Sequence, residues 1–204
     1  MDDVRNLKAL QLDALREVAN IGAGHAATAL SQMTGQTIMI SVPQLTIARL
    51  EDVPNQIAGR EEPVAAVLMK ILGDLTGLTL LVFPQPTARK VAGLMLKRSA
   101  PATLGELEQS ALKEAGNILS AAYLNALSEF LGMILLPSPP SLAIDLSDAV
   151  LSSAYVEGSR GAEYVFCVES EFHLTEVGER LRGFFLLLPD VASLQAILRA
   201  IRVA

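Results

Sequence analysis

The sequence has one cysteine, no tryptophan and only 4% aromatic residues. The lone Cys167 excludes an internal disulfide and points to a reducing compartment. Its neighbours, Tyr164-Val-Phe-Cys-Val, read as a strand, and nothing nearby would activate the thiol. Cys167 is therefore expected as a buried structural group rather than a nucleophile. With so few aromatics, aliphatic side chains must build the core; hydrophobic residues make up 51% of the chain and charged residues only 19%. The net charge is −6 and no basic block occurs, which argues against nucleic acid as the main partner. No apolar run approaches the ~20 residues that a membrane span needs. The start, Met1-Asp-Asp-Val-Arg, is charged and lacks a signal-peptide core. The expectation is a soluble cytoplasmic protein without membrane insertion.

What the sequence does have is a pattern that occurs twice, 97 residues apart. Residues 13–20 read Asp13-Ala-Leu-Arg-Glu17-Val-Ala-Asn20, and residues 110–117 read Ser110-Ala-Leu-Lys-Glu114-Ala-Gly-Asn117. The polar positions at i, i+4 and i+7 share one face of a helix. Identity in the same register continues at Ala14, Leu15 and Ile21, at Ala29, Leu30 and Ser31, and at Gly35, Ser41, Pro43 and Ile47. An internal duplication explains this better than chance. The repeats are expected at about 7–98 and 107–204, forming one domain, with Pro101 and Gly105 at the junction.

Each repeat reads as a long helix, strands and a shorter helix. The long helices are expected from Asn6 to Met33 and from Leu107 to Leu131, the second stopped by Gly132. Strands are expected at Thr37–Val42, Ile47–Leu50, Pro63–Leu72, Leu78–Phe83, Tyr164–Leu174 and Gly183–Leu188. Shorter helices follow at Thr87–Lys97 and Val191–Ile201, and Glu157–Ala162 reads as an exposed turn. The fold class is α+β, with largely antiparallel pairing and two halves about a pseudo-twofold axis.

On the first long helix, Leu10, Leu12, Leu15, Val18, Ile21, Ala26, Leu30 and Met33 form the apolar positions, beside a polar strip of Asp13, Glu17 and Asn20. Asp13 and Asn20 fall within about 60° of Glu17. A solvated face is the ordinary fate of such a strip. Two features speak against it: like charges at i, i+4 destabilise a helix by a few tenths of a kcal/mol, and Asn is a poor residue for a helix interior. Small residues follow, Gly22-Ala-Gly-His-Ala-Ala27, with Gly116 in the second copy. They imply close approach, either by a partner or by the protein's own core.

A carboxylate accepts hydrogen bonds and can pair with a partner's lysine, whereas a carboxamide both donates and accepts. The carboxamide can therefore hold a water for in-line attack on a phosphoryl group, as the orienting glutamine of GTPases does. Other chemistries have less support. Gly22–Ala27 matches G-x-G-x-x-A but lies inside a helical pattern with no strand before it. His25 and His173 have no Cys or His at ligand spacing. Ser31 and Ser128 have no recognisable His–Asp partnership and suit helix-end packing or capping.

The doubled [Asp/Ser]-x-x-x-Glu-x-x-Asn, with Asn-Ile-Gly-Ala-Gly-His-Ala-Ala-Thr-Ala-Leu-Ser after the first copy, resembles the CheC family of chemotaxis phosphatases. The resemblance spans essentially the whole chain and includes Gly35, Pro43, Leu131-Gly132 and Pro139-Pro140. It implies dephosphorylation of the response regulator CheY, whose aspartyl-phosphate carries its own Mg²⁺; the protein would need no cofactor. Glu17 and Glu114 would each engage a lysine of the regulator. Asn20 and Asn117 would each orient the attacking water, and Asp13 and Ser110 would help hold the interface. The resemblance also implies binding to the deamidase CheD, for which Leu142–Leu151 is an amphipathic candidate. The alternative is a non-enzymatic adaptor for CheD or the regulator, or a flagellar-switch component.

Overall fold

The computed structural model describes residues 9–158, 164–174 and 178–203. Helix α1 spans Ala9–Thr34. Strands β1, Ile38–Ile40, and β2, Gln44–Arg49, follow it. A 3-10 turn at Leu50–Asp52 leads into the short helix α2, Val53–Ile57, with Pro54 at its start. Strands β3, Pro63–Gly73, and β4, Gly77–Pro84, form a hairpin that leads into α3, Gln85–Met95.

The second repeat restates this order. Helix α4 spans Glu106–Leu131, followed by β5, Leu135–Pro137, and β6, Ser141–Leu146. Each of these elements equals its counterpart in length and is displaced by the same 97 residues. Helix α5, Ser147–Gly158, replaces the 3-10 turn and α2. Strands β7, Tyr164–Leu174, and β8, Glu179–Pro189, then lead into α6, Val191–Val203.

All pairings in the single eight-stranded sheet are antiparallel. The repeats exchange strands: β1 and β2 pair with β7 of the second repeat, while β5 and β6 pair with β3 of the first. The repeats meet where β4 pairs with β8, at Leu80↔Leu186 and Leu81↔Phe185. Those pairs mark the pseudo-twofold axis.

Period-two alternation sorts the strand side chains onto the two faces of the sheet. Leu81 and Phe83 of β4, with Phe185 and Leu187 of β8, pack under α1, α3, α4 and α6. Their neighbours Leu80, Val82, Phe184 and Leu186 pack under α2 and α5. Cys167 is buried in that second layer, as its strand reading implied. Burial pushes its thiol up to about 12.

Both long helices end on glycine in the left-handed region, Gly35 at φ 73° and Gly132 at φ 65°, where other residues are strained. Ser31 Oγ accepts from the Ile38 amide at 2.9 Å, and Ser128 donates to the Met133 carbonyl. These serines tie each long helix to the segment after it, a structural role.

Several expectations need correction. Strand β2 begins three residues before the expected Ile47, and β8 four residues before Gly183. Strands β5 and β6 and helices α2 and α5 had no counterpart in the sequence reading. Leu142–Leu151 is not one amphipathic element: Leu142–Leu146 belongs to β6 and Ser147–Leu151 to α5. The expected helix start at Asn6 falls outside the described residues, as do positions 159–162 of the expected turn. Glu157 and Gly158 belong to α5.

Candidate active site

Helices α1 and α4 pack against each other on one face of the sheet. At Gly22 of α1, an added Cβ would lie 2.6 Å from Cδ1 of Tyr123 on α4 and 3.1 Å from its Cα. Tyr123 is buried, stacked on Phe185 at 4.5 Å between ring centroids, and its hydroxyl lies 2.9 Å from Ser170 Oγ. Leu15, Val18 and Ala19 line one small cavity with Tyr123 and Leu127, while Leu30 shares another with Leu119. The rising residue numbers of one helix meet falling numbers of the other, so the two run antiparallel.

Around this contact the motif residues occupy the opposite side. At 100° per residue, Glu17, Asn20 and Asp13 lie about 140°, 160° and 180° from Gly22. On α4, Asn117, Ser110 and Glu114 lie about 120°, 140° and 180° from Tyr123. Each motif thus faces away from the other helix, and the two sites sit on opposite flanks of the pair.

The surroundings of the two copies match position by position. Asp13 and Ser110 are exposed, Glu17 and Glu114 are exposed, and Asn20 and Asn117 are half-buried. Asp13 is paired with Arg16 at 2.8 Å, one turn along the same helix. That cation offsets the repulsion between Asp13 and Glu17, and Lys113 occupies the equivalent position on α4. Among the described residues, the side chains of Glu17, Asn20, Ser110, Glu114 and Asn117 make no hydrogen bond or ion pair. A half-buried carboxamide with its donors and acceptor unused is available to a ligand.

The small residues divide by cause. Gly22 admits Tyr123, and Gly116 admits Val67 of β3, whose side chain lies 2.5–2.8 Å from the position of a Cβ. Core packing therefore accounts for both. Gly24 is exposed and has nothing within 4 Å of its Cβ position. It lies one turn beyond Asn20 on the motif face and leaves the backbone open there.

Three residues expected in the apolar stripe of α1 are exposed, Leu10 at 76%, Ile21 at 41% and Met33 at 42%, and Leu12 is half-buried. Periodicity missed that Leu10 and Ile21 lie on the motif side. The 97-residue register carried no signal for this, because core residues such as Leu15 and Leu30 recur in it as well.

The remaining candidates do not assemble a site. Gly22–Ala27 lies in the middle of α1, away from any helix start. His25 is exposed, and His173 lies on β7 with its Nε2 3.5 Å from Glu171. Among the described residues, no three His, Cys, Asp or Glu side chains are grouped to hold a metal. No described helix is long and apolar enough to cross a membrane.

The CheC-like family model matches residues 10–47 and 107–144, two segments separated by the same 97 residues, each running from a motif helix into its second strand. The "CheY-P phosphatase CheC" of Bacillus subtilis (strain 168) is 31% identical over 205 residues, covering 98% of each chain. The "Putative CheY-P phosphatase CheC1" of Halobacterium salinarum (strain ATCC 29341 / DSM 671 / R1) is 24% identical, again over 98% of each. The crystal structure of Thermotoga maritima FliY has the same fold, with a TM-score of 0.79 at 24% identity over 97% of this chain and 98% of that one. The duplicated fold, with the family match repeated at the same place in each half, defines the class. This chain belongs to the CheC-like family.

Proposed function

We propose that the protein is a phosphatase that hydrolyses the aspartyl-phosphate of the chemotaxis response regulator CheY. The observation that carries this reading is the pair of unpartnered Glu and Asn side chains, duplicated in equivalent surroundings on α1 and α4. The curated relatives named as CheY-P phosphatases support the choice of substrate.

Glu17 and Glu114 dock by pairing with a lysine of the regulator. Asn20 and Asn117 lie about 4.5 Å further along the helix and about 60° around it. From there the carboxamide reaches the phosphoryl group. It accepts a hydrogen bond from a water and aligns that oxygen with phosphorus. The water attacks, the bond from phosphorus to the aspartyl oxygen breaks, and inorganic phosphate leaves. The protein supplies position rather than a nucleophile, a contribution that can be large. Mg²⁺ belongs to the regulator, and the protein contributes no cofactor. Asp13 and Ser110 border the docking face.

The repeats, about 7–98 and 107–204, work as one cytoplasmic unit with a site on each flank, so two regulators bind without competing. CheD is a second partner. The exposed Ile144, Asp145 and Leu146 at the passage from β6 to α5 support that surface as its docking point. The test is phosphate release from phosphorylated CheY with catalytic amounts of protein. Many turnovers per molecule are expected, whereas one or none would favour an adaptor or flagellar-switch role.

A further inference from the structure

Leu10 and Ile21 remain unexplained by the fold. Leu10 is 76% exposed and Ile21 41%, although the core-facing sector of α1 is filled by Leu15, Val18, Ala26 and Leu30. The second repeat has the same residue types at the same places. Leu107 is 58% exposed, and Ile118 is half-buried, packed on one side against the core and open on the other.

The placement around the helix has a pattern. Leu10 and Ile21 lie about 20° and 40° from Glu17 on one side, and Asn20 lies about 60° from it on the other. Leu107, Ile118, Glu114 and Asn117 repeat these angles because their spacing is identical. Each site is therefore a carboxylate with a carboxamide on one flank and, towards the other, a Leu about 10 Å before it and an Ile about 6 Å beyond it along the helix axis. An exposed Leu seven residues before each Glu has no reason in the core to recur, and it is continuous with the docking face.

We propose that Leu10 with Ile21, and Leu107 with Ile118, are specificity-determining contacts that cover apolar surface on both sides, along the helix, of the docking lysine of the phosphorylated regulator. This rests on the reading of the sites as regulator-docking surfaces. The carboxylate gives long-range attraction and the apolar pair gives short-range recognition. A regulator with the lysine but a polar surface beside it would be a poor substrate.

The test is Leu10→Gln with Leu107→Gln in the full chain, both changes being at exposed positions. Two quantities are measured: the affinity for beryllofluoride-bound regulator, and KM and kcat for phosphate release. The expected result is about tenfold weaker binding and a KM raised by about the same factor, with kcat within about twofold of the parent. The binding measurement keeps the docking claim testable even if the parent protein shows no turnover, an outcome that would defeat only the phosphatase reading. Unchanged affinity in a folded variant would overturn the inference. So would a change confined to self-association or to CheD binding.

Discussion

The same substitution two residues apart on α1 should have unequal effects on stability. At Gly22, a methyl would sit 2.6 Å from Tyr123 Cδ1 and 3.1 Å from its Cα. The tyrosine cannot swing aside cheaply, because it is stacked on Phe185 and bonded to Ser170. Overpacking of this kind costs about 1–3 kcal/mol. At Gly24, the methyl would meet nothing within 4 Å. Both Gly→Ala changes gain about 1 kcal/mol of helix propensity. That gain cancels on comparison, so Gly22→Ala should be about 1–3 kcal/mol less stable than Gly24→Ala. Urea unfolding of both variants and the parent would show this as a shift in midpoint at constant slope. The expected order is Gly24→Ala, then the parent, with Gly22→Ala at or below it. A Gly22→Ala midpoint equal to that of Gly24→Ala would refute the close approach of α1 and α4.

Two further predictions concern charge. Glu17→Lys with Glu114→Lys should place like charges against the regulator's lysine and raise KM more than about tenfold, about 1.4 kcal/mol, with a smaller effect on kcat; steady-state phosphate release separates the two. Burial, the largest cause, raises the Cys167 thiol from 9.0 to about 12, with lesser effects from Thr46, Glu169 and Arg182. The unfolded chain ionises first, so this contribution is full below about pH 9 and is lost as the pH rises towards 12, at up to about 1.4 kcal/mol per unit. Tyr123, also raised by burial, acts in the same direction at higher pH. Urea unfolding at pH 8 and pH 10.5 should show a smaller alkaline loss for Cys167→Ala than for the parent; equal losses would contradict this assignment.

The long helices were legible because their apolar period is sustained and Gly132 stops the second. The 97-residue register likewise exposed the duplication, since α1, β1 and β2 recur without a gap. What was missed has local causes. Strand β5 is three residues long and ends at Pro137, beside two further prolines, which read as loop. Helix α2 is five residues long and contains Pro54. The change from β6 to α5 at Leu146 and Ser147 falls inside one continuous apolar–polar pattern. The strand exchange between repeats is non-local, and no spacing in the sequence encodes which β3 or β7 a strand will join. The positions of Glu17 and Asn20 on one face followed from spacing alone. The orientation of that face did not, because α1 is apolar over a wide arc and periodicity cannot say which part meets the sheet. Hence Leu10 and Ile21 were counted with the core when they border the site.

The central claim is that two Asn side chains each direct water onto a phosphoryl group at separate sites. Phosphate release from phosphorylated CheY by the parent, Asn20→Ala, Asn117→Ala and the double variant tests it most directly. An Asn→Ala change at these half-buried helical positions should alter stability by under about 1 kcal/mol, and circular dichroism checks the fold. The account predicts many turnovers for the parent, substantial activity in each single variant and background release in the folded double variant. Full activity in the double variant would contradict the role of the carboxamides, and loss of all activity in either folded single variant would contradict the independence of the sites.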